Sequence, residues 1–444
     1  MNRRITPILI ALVALALVAA CTLPASKRKP QPVSTPTAPA VQPRYQAAGW
    51  IIARASMHTH STYSDGCHTP EDLLAIARAQ GMAILSFNDH AENKMCVGQS
   101  RLFCQQNGGV EMVGYRAYYD RLAQVRETAH GEGMLVLRGV EVAPYMYNDG
   151  KFPSLTIRGT SNHFCVYGVE DPAILEAMAV RRYFTIKPEK DPQRVPYQAF
   201  VDSIVRQGGM VSPVHVEEDM DSWTGPVHSI TAPPVENILL KNITLFSALP
   251  DAWGEHAAQP GGNWDLALLA YLGGMRDRPV WTNGDTDYHC EPSSMALATT
   301  LFYLKDFTED DVFKAMHEGR MVALQGVELQ DSYVSEWWVA AGEPKDKIML
   351  GAETRLSGAP TVRFALNHPV AGCKVKLIRN GRVIKEQEGT EITYKDEDAG
   401  SRRESVYYRV ELVGPHKPGG RDYSAAIMPD TELFVNPIFV RFEK

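Results

Sequence analysis

The chain has 444 residues, of which 44% are hydrophobic and 22% are charged, and its formal net charge at pH 7 is -7. A chain of this length exceeds what one ordinary hydrophobic core spans, so we expect two folded units. The acidic balance, with no basic segment interleaved with aromatic residues, gives no reason to expect nucleic acid as a partner.

The first 21 residues predict an export signal with a site for lipid attachment. Arg3 and Arg4 precede an apolar run, Ile8 to Ala20, that is shorter than the ~20 residues of a membrane-spanning helix. The run ends in Val18-Ala19-Ala20-Cys21, which resembles the lipobox of bacterial lipoproteins. That resemblance implies an exported protein, acylated on Cys21 and anchored in a membrane. Thr22 resembles the following residue of lipoproteins sent to the outer membrane, where the chain would face the periplasm or the cell surface. An uncleaved anchor and an ordinary secretory signal are the alternatives.

Residues 22 to 49 predict a linker. This segment contains six prolines among Ser, Thr, Ala and Gln: Pro24, Pro30, Pro32, Pro36, Pro39 and Pro43. Because proline favours extended backbone, the linker would hold the folded part away from the membrane.

Residues 50 to 335 alternate between short apolar runs and amphipathic stretches. The runs predicted to be strands are Met82–Phe87, Met134–Val142, Gly209–His215 and Pro279–Thr282. The stretches predicted to be helices are Glu71–Gln80, Tyr115–His130, Tyr197–Gln207 and Asn263–Gly273. Strands separated by helices predict an α/β fold with a parallel sheet or barrel.

Residues 336 to 444 have a different character. Apolar residues alternate with polar ones around Val362, Val375, Val406 and Ile438, which is typical of strands with one buried face. Asn380-Gly381 separates two such runs and is a strong hairpin signal. We therefore predict a separate, small all-β domain with a sandwich-like fold.

Histidines and carboxylates occur where the predicted strands of the α/β unit end. His58 and His60 are separated by one residue, so on a strand both imidazoles point to the same face and can reach one metal ion. Ser64-Asp65-Gly66 follows, and the strand Ala83 to Phe87 continues directly into Asn88-Asp89-His90. In barrels the carboxyl ends of the strands build the active site, so these positions predict a metal site.

This pattern is similar to that of the PHP superfamily, named for polymerase and histidinol phosphatase, in which H-x-H is followed by S-D-G and then by a strand ending in D-H. The further motifs of the family are found in the same order: Gly139-Val140-Glu141, Asn162-His163-Phe164, Val214-His215 and Asp287-Tyr288-His289. The resemblance covers roughly Ser56 to Val327. His163 is accepted on the resemblance alone, because it precedes a strand.

The resemblance implies a distorted (β/α)7 TIM-like barrel of PHP type and two or three divalent metal ions, with Zn, Mn or Fe suited to the ligands. It implies three metal positions, held by His58, His60, Glu141 and Asp287, by Glu141, His163 and His215, and by Asp65, His90 and His289. We expect Glu141, Asp287 and His289 to take part in catalysis. The expected activity is that of a phosphoesterase acting on a small molecule through a hydroxide that bridges the metal ions.

Two other functions are open at this stage. The order of a metallohydrolase unit and a β module resembles the group that includes carbaryl-hydrolysing enzymes, which implies hydrolysis of a carbamate or carboxylic ester on the same metal site. The other is a non-catalytic, metal-stabilised surface protein whose β module binds a partner.

The remaining residues carry weaker signals. Cys96 and Cys104 enclose a short loop and are the first candidates for a disulfide, whereas Cys67 and Cys290 flank presumed ligands and predict either a disulfide or plain packing. Asp89 predicts an orienting role beside His90. The basic residues that could hold a phosphate, or are simply solvated, are Arg101, Arg158 and Lys190.

Overall fold

The computed structural model describes residues 44–92, 94–97, 103–106, 108–224, 227–250, 257–417 and 430–443. The predicted export signal, Cys21 and most of the predicted linker lie outside these residues. Within them, no helix is both long and apolar enough to cross a membrane.

Seven α-helices are found in this part of the chain. They are α1 (Pro70–Ala79), α2 (Tyr115–Gly131), α3 (Pro172–Glu176), α4 (Val195–Val205), α5 (Asn263–Leu272), α6 (Glu309–Glu318) and α7 (Glu397–Arg402). The helix predicted at Glu71–Gln80 is confirmed as α1, and its start has a local cause. The Thr69 side chain accepts a hydrogen bond from the Asp72 N–H, and Pro70 occupies the first turn, where its missing N–H costs nothing.

The strands of the first two thirds are short. They are β1 (Arg44–Ala47), β2 (Trp50–Ser56), β3 (Ile84–Phe87), β4 (Lys94–Val97), β5 (Phe103–Gln106), β6 (Leu135–Arg138), β7 (Val140–Val142), β8 (Tyr147–Asn148), β9 (Leu155–Arg158), β10 (Phe164–Tyr167), β11 (Tyr183–Phe184), β12 (Met210–Pro213), β13 (Met220–Thr224), β14 (Val227–Thr231), β15 (Leu245–Leu249) and β16 (Trp281–Gly284). The remaining strands are longer on average. They are β17 (Ala298–Leu304), β18 (Met321–Gln325), β19 (Val334–Ala340), β20 (Glu353–Leu356), β21 (Thr361–Leu366), β22 (Lys374–Arg379), β23 (Arg382–Glu388), β24 (Glu391–Lys395), β25 (Val406–Val413) and β26 (Glu432–Phe442).

One large mixed sheet runs through both predicted units. Its strand order is β23-β22-β25-β26-β18-β17-β2-β3-β6, with β1 on β2 and β20 on β26. Along this sheet, Val322 and Val435 contribute to the core on one face, and Ala323 and Phe434 to the core on the other. The first face packs against a second sheet, β19-β21-β24, and the other face packs against the helices.

The prediction of a separate C-terminal β domain is therefore corrected. β22, β23, β25 and β26 extend the sheet of the α/β part, because β26 pairs with β18. The alternation at Ile438, Val440 and Phe442 indicated one buried face, but the first nine residues of β26 are all buried, so the strand has a core on both faces. The predicted boundary at 335 falls inside β19. The hairpin at Asn380-Gly381 is confirmed: Arg379 pairs with Arg382, and both turn residues have positive φ, 50° and 77°.

The strands that carry the predicted site do not form one continuous hydrogen-bonded ladder. β2, β3 and β6 are parallel neighbours in the large sheet, β15 and β16 form a parallel pair, and β7, β10 and β12 form an antiparallel sheet with β10 in the middle. The described strands thus give a mixed α/β fold in which β10 runs against its neighbours, and a closed seven-stranded barrel stays a prediction.

Candidate metal centre

The nine predicted ligands lie together at one end of these strands. Seven of them follow a strand or sit within its last residues, and Asp65 lies in the loop that follows His60. His163 comes just before β10, which explains why it appeared exceptional in the sequence. Because β10 is antiparallel to both β7 and β12, its amino end lies at the same edge as their carboxyl ends.

The first group contains His58, His60, Glu141 and Asp287. The two Nε2 atoms are 3.0 Å apart, and Asp287 Oδ1 lies 3.2 Å from that of His58 and 3.0 Å from that of His60. Glu141 Oε2 lies 3.5 Å and 3.3 Å from the same two nitrogens. Ligands placed 2.0–2.1 Å from a tetrahedral metal ion are about 3.3 Å apart, so these five separations match a ligand set for one ion.

The second carboxylate oxygen of Glu141 belongs to a neighbouring group. Glu141 Oε1 lies 3.1 Å from His163 Nδ1 and 3.0 Å from His215 Nε2, and these two nitrogens are 3.1 Å apart. Glu141 is thus placed between two sets of ligand atoms, as the resemblance implied for a bridging carboxylate.

Asp65 is the centre of the third group. Its Oδ1 lies 3.2 Å from His289 Nε2 and 3.4 Å from His60 Nδ1, and its Oδ2 lies 3.6 Å from His90 Nε2. The structure adds His60 to the three residues expected here, because its ring presents one nitrogen to each of two groups.

His90 also departs from the expected grouping. Its Nδ1 lies 2.9 Å from Glu141 Oε2, and its position is compatible with a group formed with Glu141 and His163 as well as with the group around Asp65. The sequence could not reveal this, because which nitrogen of a histidine faces which neighbour depends on side-chain orientation and not on spacing.

Burial decreases across the centre. The side chains of His58, His60 and Glu141 are at most 1% exposed, whereas that of His289 is 30% exposed and that of Asp65 is 54% exposed. The first group therefore lies deepest, and the third faces solvent.

Electrostatics couple the members of the centre. Burial would raise the pKa of Glu141, but the charges of His163 and His90 outweigh it and hold that pKa well below its usual range. The pKa of Asp287 is likewise lowered: burial opposes the shift, and His58 and His289 produce it. Burial lowers the pKa of His289, but Asp287 and Asp65 raise it to about 9. Ionised carboxylates here thus require a cation beside them, whether a proton on histidine or a metal ion.

Four buried polar atoms of the centre make no well-oriented hydrogen bond with the described residues, although histidine or carboxylate atoms lie 2.9–3.7 Å from them: His58 Nδ1, Glu141 Oε2, His215 Nδ1 and Asp287 Oδ1. Buried polar atoms in folded proteins nearly always have a partner. Two of the four are the carboxylate oxygens that face the His58 and His60 nitrogens. These oxygens fit a site that holds metal ions.

Asp89 organises the loop after His60. Its carboxylate accepts hydrogen bonds from the Ser61 N–H (2.7 Å), the Ser61 hydroxyl (2.8 Å), the Ser64 hydroxyl (2.8 Å) and the Tyr118 hydroxyl (2.9 Å). The Ser64 hydroxyl in turn lies 3.2 Å from His60 Nδ1. The Asp89 carboxylate thus contacts the loop that carries the predicted ligands, as expected of an orienting residue, and the Asp89 carbonyl accepts a hydrogen bond from the Glu141 N–H (3.1 Å).

Two further carboxylates contact the histidines from outside the cluster. Glu218 Oε2 lies 3.0 Å from His215 Nδ1, and Asp285 Oδ1 lies 3.7 Å from His58 Nδ1. Asp285 thus faces the outer nitrogen of His58, whereas Asp287 faces the inner one, as the D-x-H spacing favoured. Glu218 was missed, although its position three residues after a presumed ligand was a signal that could have identified it.

The cysteines beside the ligands form a disulfide, Cys67–Cys290, which is one of the two alternatives expected for them. Cys96 is also disulfide-bonded, and its Cα is opposite that of Cys104 in the pairing of β4 with β5. The Cys104 side chain lies outside the described residues, so the Cys96–Cys104 bridge stays a prediction.

The basic residues considered for phosphate binding are not brought to the cluster by any contact seen here. Arg158 Nε donates to Asp149 Oδ2 (2.9 Å), and Lys190 is exposed. Arg101 lies outside the described residues.

No protein-family model and no curated protein matches the chain. Several solved structures are similar to it. A two-domain protein from Bacteroides vulgatus containing a predicted PHP-like metal-dependent phosphoesterase is 13% identical, with a TM-score of 0.40, covering 84% of this chain and 94% of that one. A putative metal-dependent phosphoesterase from Bifidobacterium adolescentis is 12% identical, with a TM-score of 0.26, and the similarity covers 54% of this chain and 90% of that one.

The third is an amidohydrolase from Chromobacterium violaceum with bound sulfate and no metal, 17% identical, with a TM-score of 0.29 and coverage of 61% of this chain and 97% of that one. At these identities and TM-scores, the similarities establish neither a shared fold nor a shared activity. The site geometry described above is independent of them.

Proposed function

We propose that the chain is a metal-dependent hydrolase of PHP type, most specifically a phosphoesterase that acts on a small molecule. The observation that carries the proposal is the first group, in which two histidine nitrogens and two carboxylate oxygens converge with separations of 3.0–3.5 Å. The two oxygens of that group make no well-oriented hydrogen bond with the described residues, although histidine nitrogens lie 2.9 Å and 3.0 Å from them, which supports the same conclusion.

Each residue has a definite part in this proposal. Glu141 would serve two metal positions, because its two oxygens face different sets of nitrogens. His58, His60 and Asp287 would complete the first position, and His163 and His215 the second. Asp65, His90 and His289 would hold the third. Bound divalent ions would generate a nucleophile from water and stabilise the negative charge that develops on the substrate.

The number of groups favours a phosphoester over other hydrolysable substrates. Three adjoining groups share only three carboxylates, Asp65, Glu141 and Asp287, so divalent ions in all of them would leave the centre with net positive charge. A phosphoester offers several anionic oxygens that such a centre can bind, as in the two-metal sites of phosphatases and nucleases.

The test is the metal content and substrate range of the purified protein. We expect two or three equivalents of Zn, Mn or Fe by elemental analysis, and turnover of aryl phosphomonoesters or phosphodiesters that is lost with a chelator and restored by one of these metals. Glu141→Gln should lower the metal content by more than one equivalent, whereas Glu411→Gln, at a buried glutamate in β25, should leave it unchanged.

Specific outcomes would contradict the proposal. Turnover of aryl carbamates or carboxylic esters without any turnover of phosphoesters would support the ester-hydrolase alternative. Bound metal with no turnover across the panel would support a non-catalytic role. Full metal content in Glu141→Gln would show that this carboxylate does not bridge.

We also propose that the protein is exported and anchored to the outer membrane through acylated Cys21. Support comes from the lipobox-like Val18-Ala19-Ala20-Cys21 and the proline-containing segment after it. Cys21→Ser should abolish incorporation of labelled fatty acid, and removal of residues 1–43, which keeps β1, should release active, soluble protein. Label retained in Cys21→Ser would contradict this assignment.

A further inference from the structure

A disulfide joins the two loops that carry the exposed end of the metal centre. Cys67 and Cys290 are bonded, with their Cα atoms 5.5 Å apart and 223 positions between them in the sequence. Cys67 comes two residues after Asp65, and Cys290 directly follows His289. The bridge therefore connects the first and the last motif of the site. On each side, the bonded cysteine is within two residues of a member of the third group.

The backbone holds the base of these loops but contributes less near their tips. At the base, the His60 N–H donates to the Tyr288 carbonyl (2.8 Å), and the Tyr288 N–H donates to the His58 carbonyl (3.1 Å). Further out, the Cys67 N–H donates to the His289 carbonyl (3.1 Å), next to the disulfide. Backbone hydrogen bonds thus hold His58 and His60 in place. Near Asp65 and His289, the two loops are joined by the Cys67 N–H, by the contact of His68 with Glu291 (3.0 Å) and by the disulfide.

Exposure makes the same distinction. His58 and His60 are fully buried, so close packing restricts their side chains. Asp65 is 54% exposed at its side chain, and its Oδ1 is nevertheless placed 3.2 Å from His289 Nε2. A carboxylate and an imidazole that face solvent gain little from a surface ion pair, so their mutual placement depends on how the two loops are held.

We propose that the Cys67–Cys290 disulfide is a positioning element for the third metal group: it holds Asp65 and His289 at ligand distance, while the first group is independent of it. The inference rests on the proposed function, namely that the groups bind metal ions. Its physical basis is preorganisation. With the loops tied together, the entropy of bringing Asp65 to His289 is already lost before an ion binds, so the ion is held more tightly.

The test compares metal binding by the wild-type protein and by Cys67→Ala/Cys290→Ala. Stoichiometry is measured by elemental analysis after dialysis, and the affinity of each equivalent by competition with a chromophoric chelator. We expect the most weakly bound equivalent to lose affinity by about tenfold or more, the scale found when residues that support metal ligands are removed. The more tightly bound equivalents should keep their affinities within about twofold.

A double-mutant cycle makes the result specific. Asp65→Asn removes a ligand of the third group directly. If the disulfide acts through this group, the two cysteine substitutions should cause no further change in metal binding in the Asp65→Asn background. A general loss of structure would instead weaken every equivalent in both backgrounds.

A second measurement does not depend on the folding of the variant. In folded wild-type protein, a water-soluble phosphine cleaves each accessible S–S bond to two thiols, with water supplying the oxygen of the phosphine oxide, and the thiols are then alkylated. The same treatment of Cys67→Ala/Cys290→Ala controls for cleavage of the bridge at Cys96. The cleaved protein should likewise lose affinity for its most weakly bound metal equivalent and keep its affinity for the others. The inference is overturned if the wild-type protein binds metal and the cleaved or substituted forms bind it identically, or lose all equivalents equally. A wild-type protein that binds no metal would overturn the proposed function itself.

Discussion

Substitution of Asp265 should destabilise the whole protein, because its carboxylate connects α5 with β25 through buried hydrogen bonds and an ion pair. Its carboxylate accepts hydrogen bonds from Arg409 Nε and Nη2 (both 2.7 Å), from the Tyr407 hydroxyl (2.6 Å) and from the Gly261 N–H (2.7 Å). The side chains of Asp265 and Arg409 are both fully buried. Asp265→Ala would leave the Arg409 charge without its counter-ion inside the protein.

The expected magnitude follows from that burial. Removing one partner of a buried ion pair destabilises a protein by about 3–5 kcal/mol, whereas replacing both partners by apolar groups is often nearly neutral. Asp265→Ala should therefore lower the free energy of unfolding by about 3–5 kcal/mol, a large part of the roughly 5–15 kcal/mol typical of a folded domain. The double variant Asp265→Ala/Arg409→Met should recover more than half of that loss.

Urea denaturation measures this effect as a shift of the midpoint, if the slope with denaturant is unchanged. Far-UV circular dichroism and tryptophan fluorescence should report one coincident transition, because the large sheet belongs to both parts of the chain. Glu391→Gln is the matched control. Glu391 is 60% exposed and its partner Arg363, in β21, is only partly buried, so the expected change is below ~1 kcal/mol. A change below about 1 kcal/mol for Asp265→Ala, or a double variant no more stable than the single one, would refute the reasoning.

Three other predictions concern separate features. In metal-free protein the pKa of His289 is raised to about 9, so the stabilising contribution of its protonated ring is fully present below about pH 6.5 and is lost as the pH rises through 9. The unfolding temperature measured in EDTA should therefore fall over this range. A bound metal ion, which replaces the proton, should make that fall smaller. An unfolding temperature in EDTA that does not fall over that range would contradict it. Burial raises the pKa of the Cys165 thiol to about 11, and Cys373 is also buried, so neither should react with a thiol reagent at pH 8 until the protein is unfolded; labelling of folded protein within minutes would be contrary evidence. Gly381→Ala should lower the free energy of unfolding by about 1–2 kcal/mol, because φ is +77° and an added Cβ would lie 3.2 Å from a neighbouring side chain. Gly389→Ala, with φ of +102° and open space around it, shows the effect of positive φ without the close contact. An unchanged urea midpoint for Gly381→Ala would count against both causes.

Local signals in the sequence predicted the elements well where the cause was itself local. Thr69 and Pro70 marked the start of α1, and Asn380-Gly381 marked a two-residue hairpin, since capping and positive φ depend on residues next to each other. The paired strands β13 and β14 were not predicted. Of their residues, only a few are buried, so they lack the strong apolar run that a sequence can display.

Long-range relations could not be read in the same way. The direction of β10 depends on which strands lie beside it, and this direction places His163 with the other ligands. The residues of β26 contribute to two different cores, one on each face of the large sheet. The sequence shows only one apolar run there and does not indicate which strands lie beside it. The structure brings together the nine residues that the motifs identified, but the motifs did not reveal the second contact of His90 or the contact of Glu218 with His215.

The interior position of β26 has a consequence for biosynthesis. β26 lies between β18 and β25 and follows every other strand described in the chain. As the chain emerges from the ribosome or from an export channel, β18 and β25 are complete before their common neighbour, so each exposes an unpaired strand edge of the kind that recruits other chains. The nascent polypeptide therefore needs protection from aggregation until residue 442 has emerged.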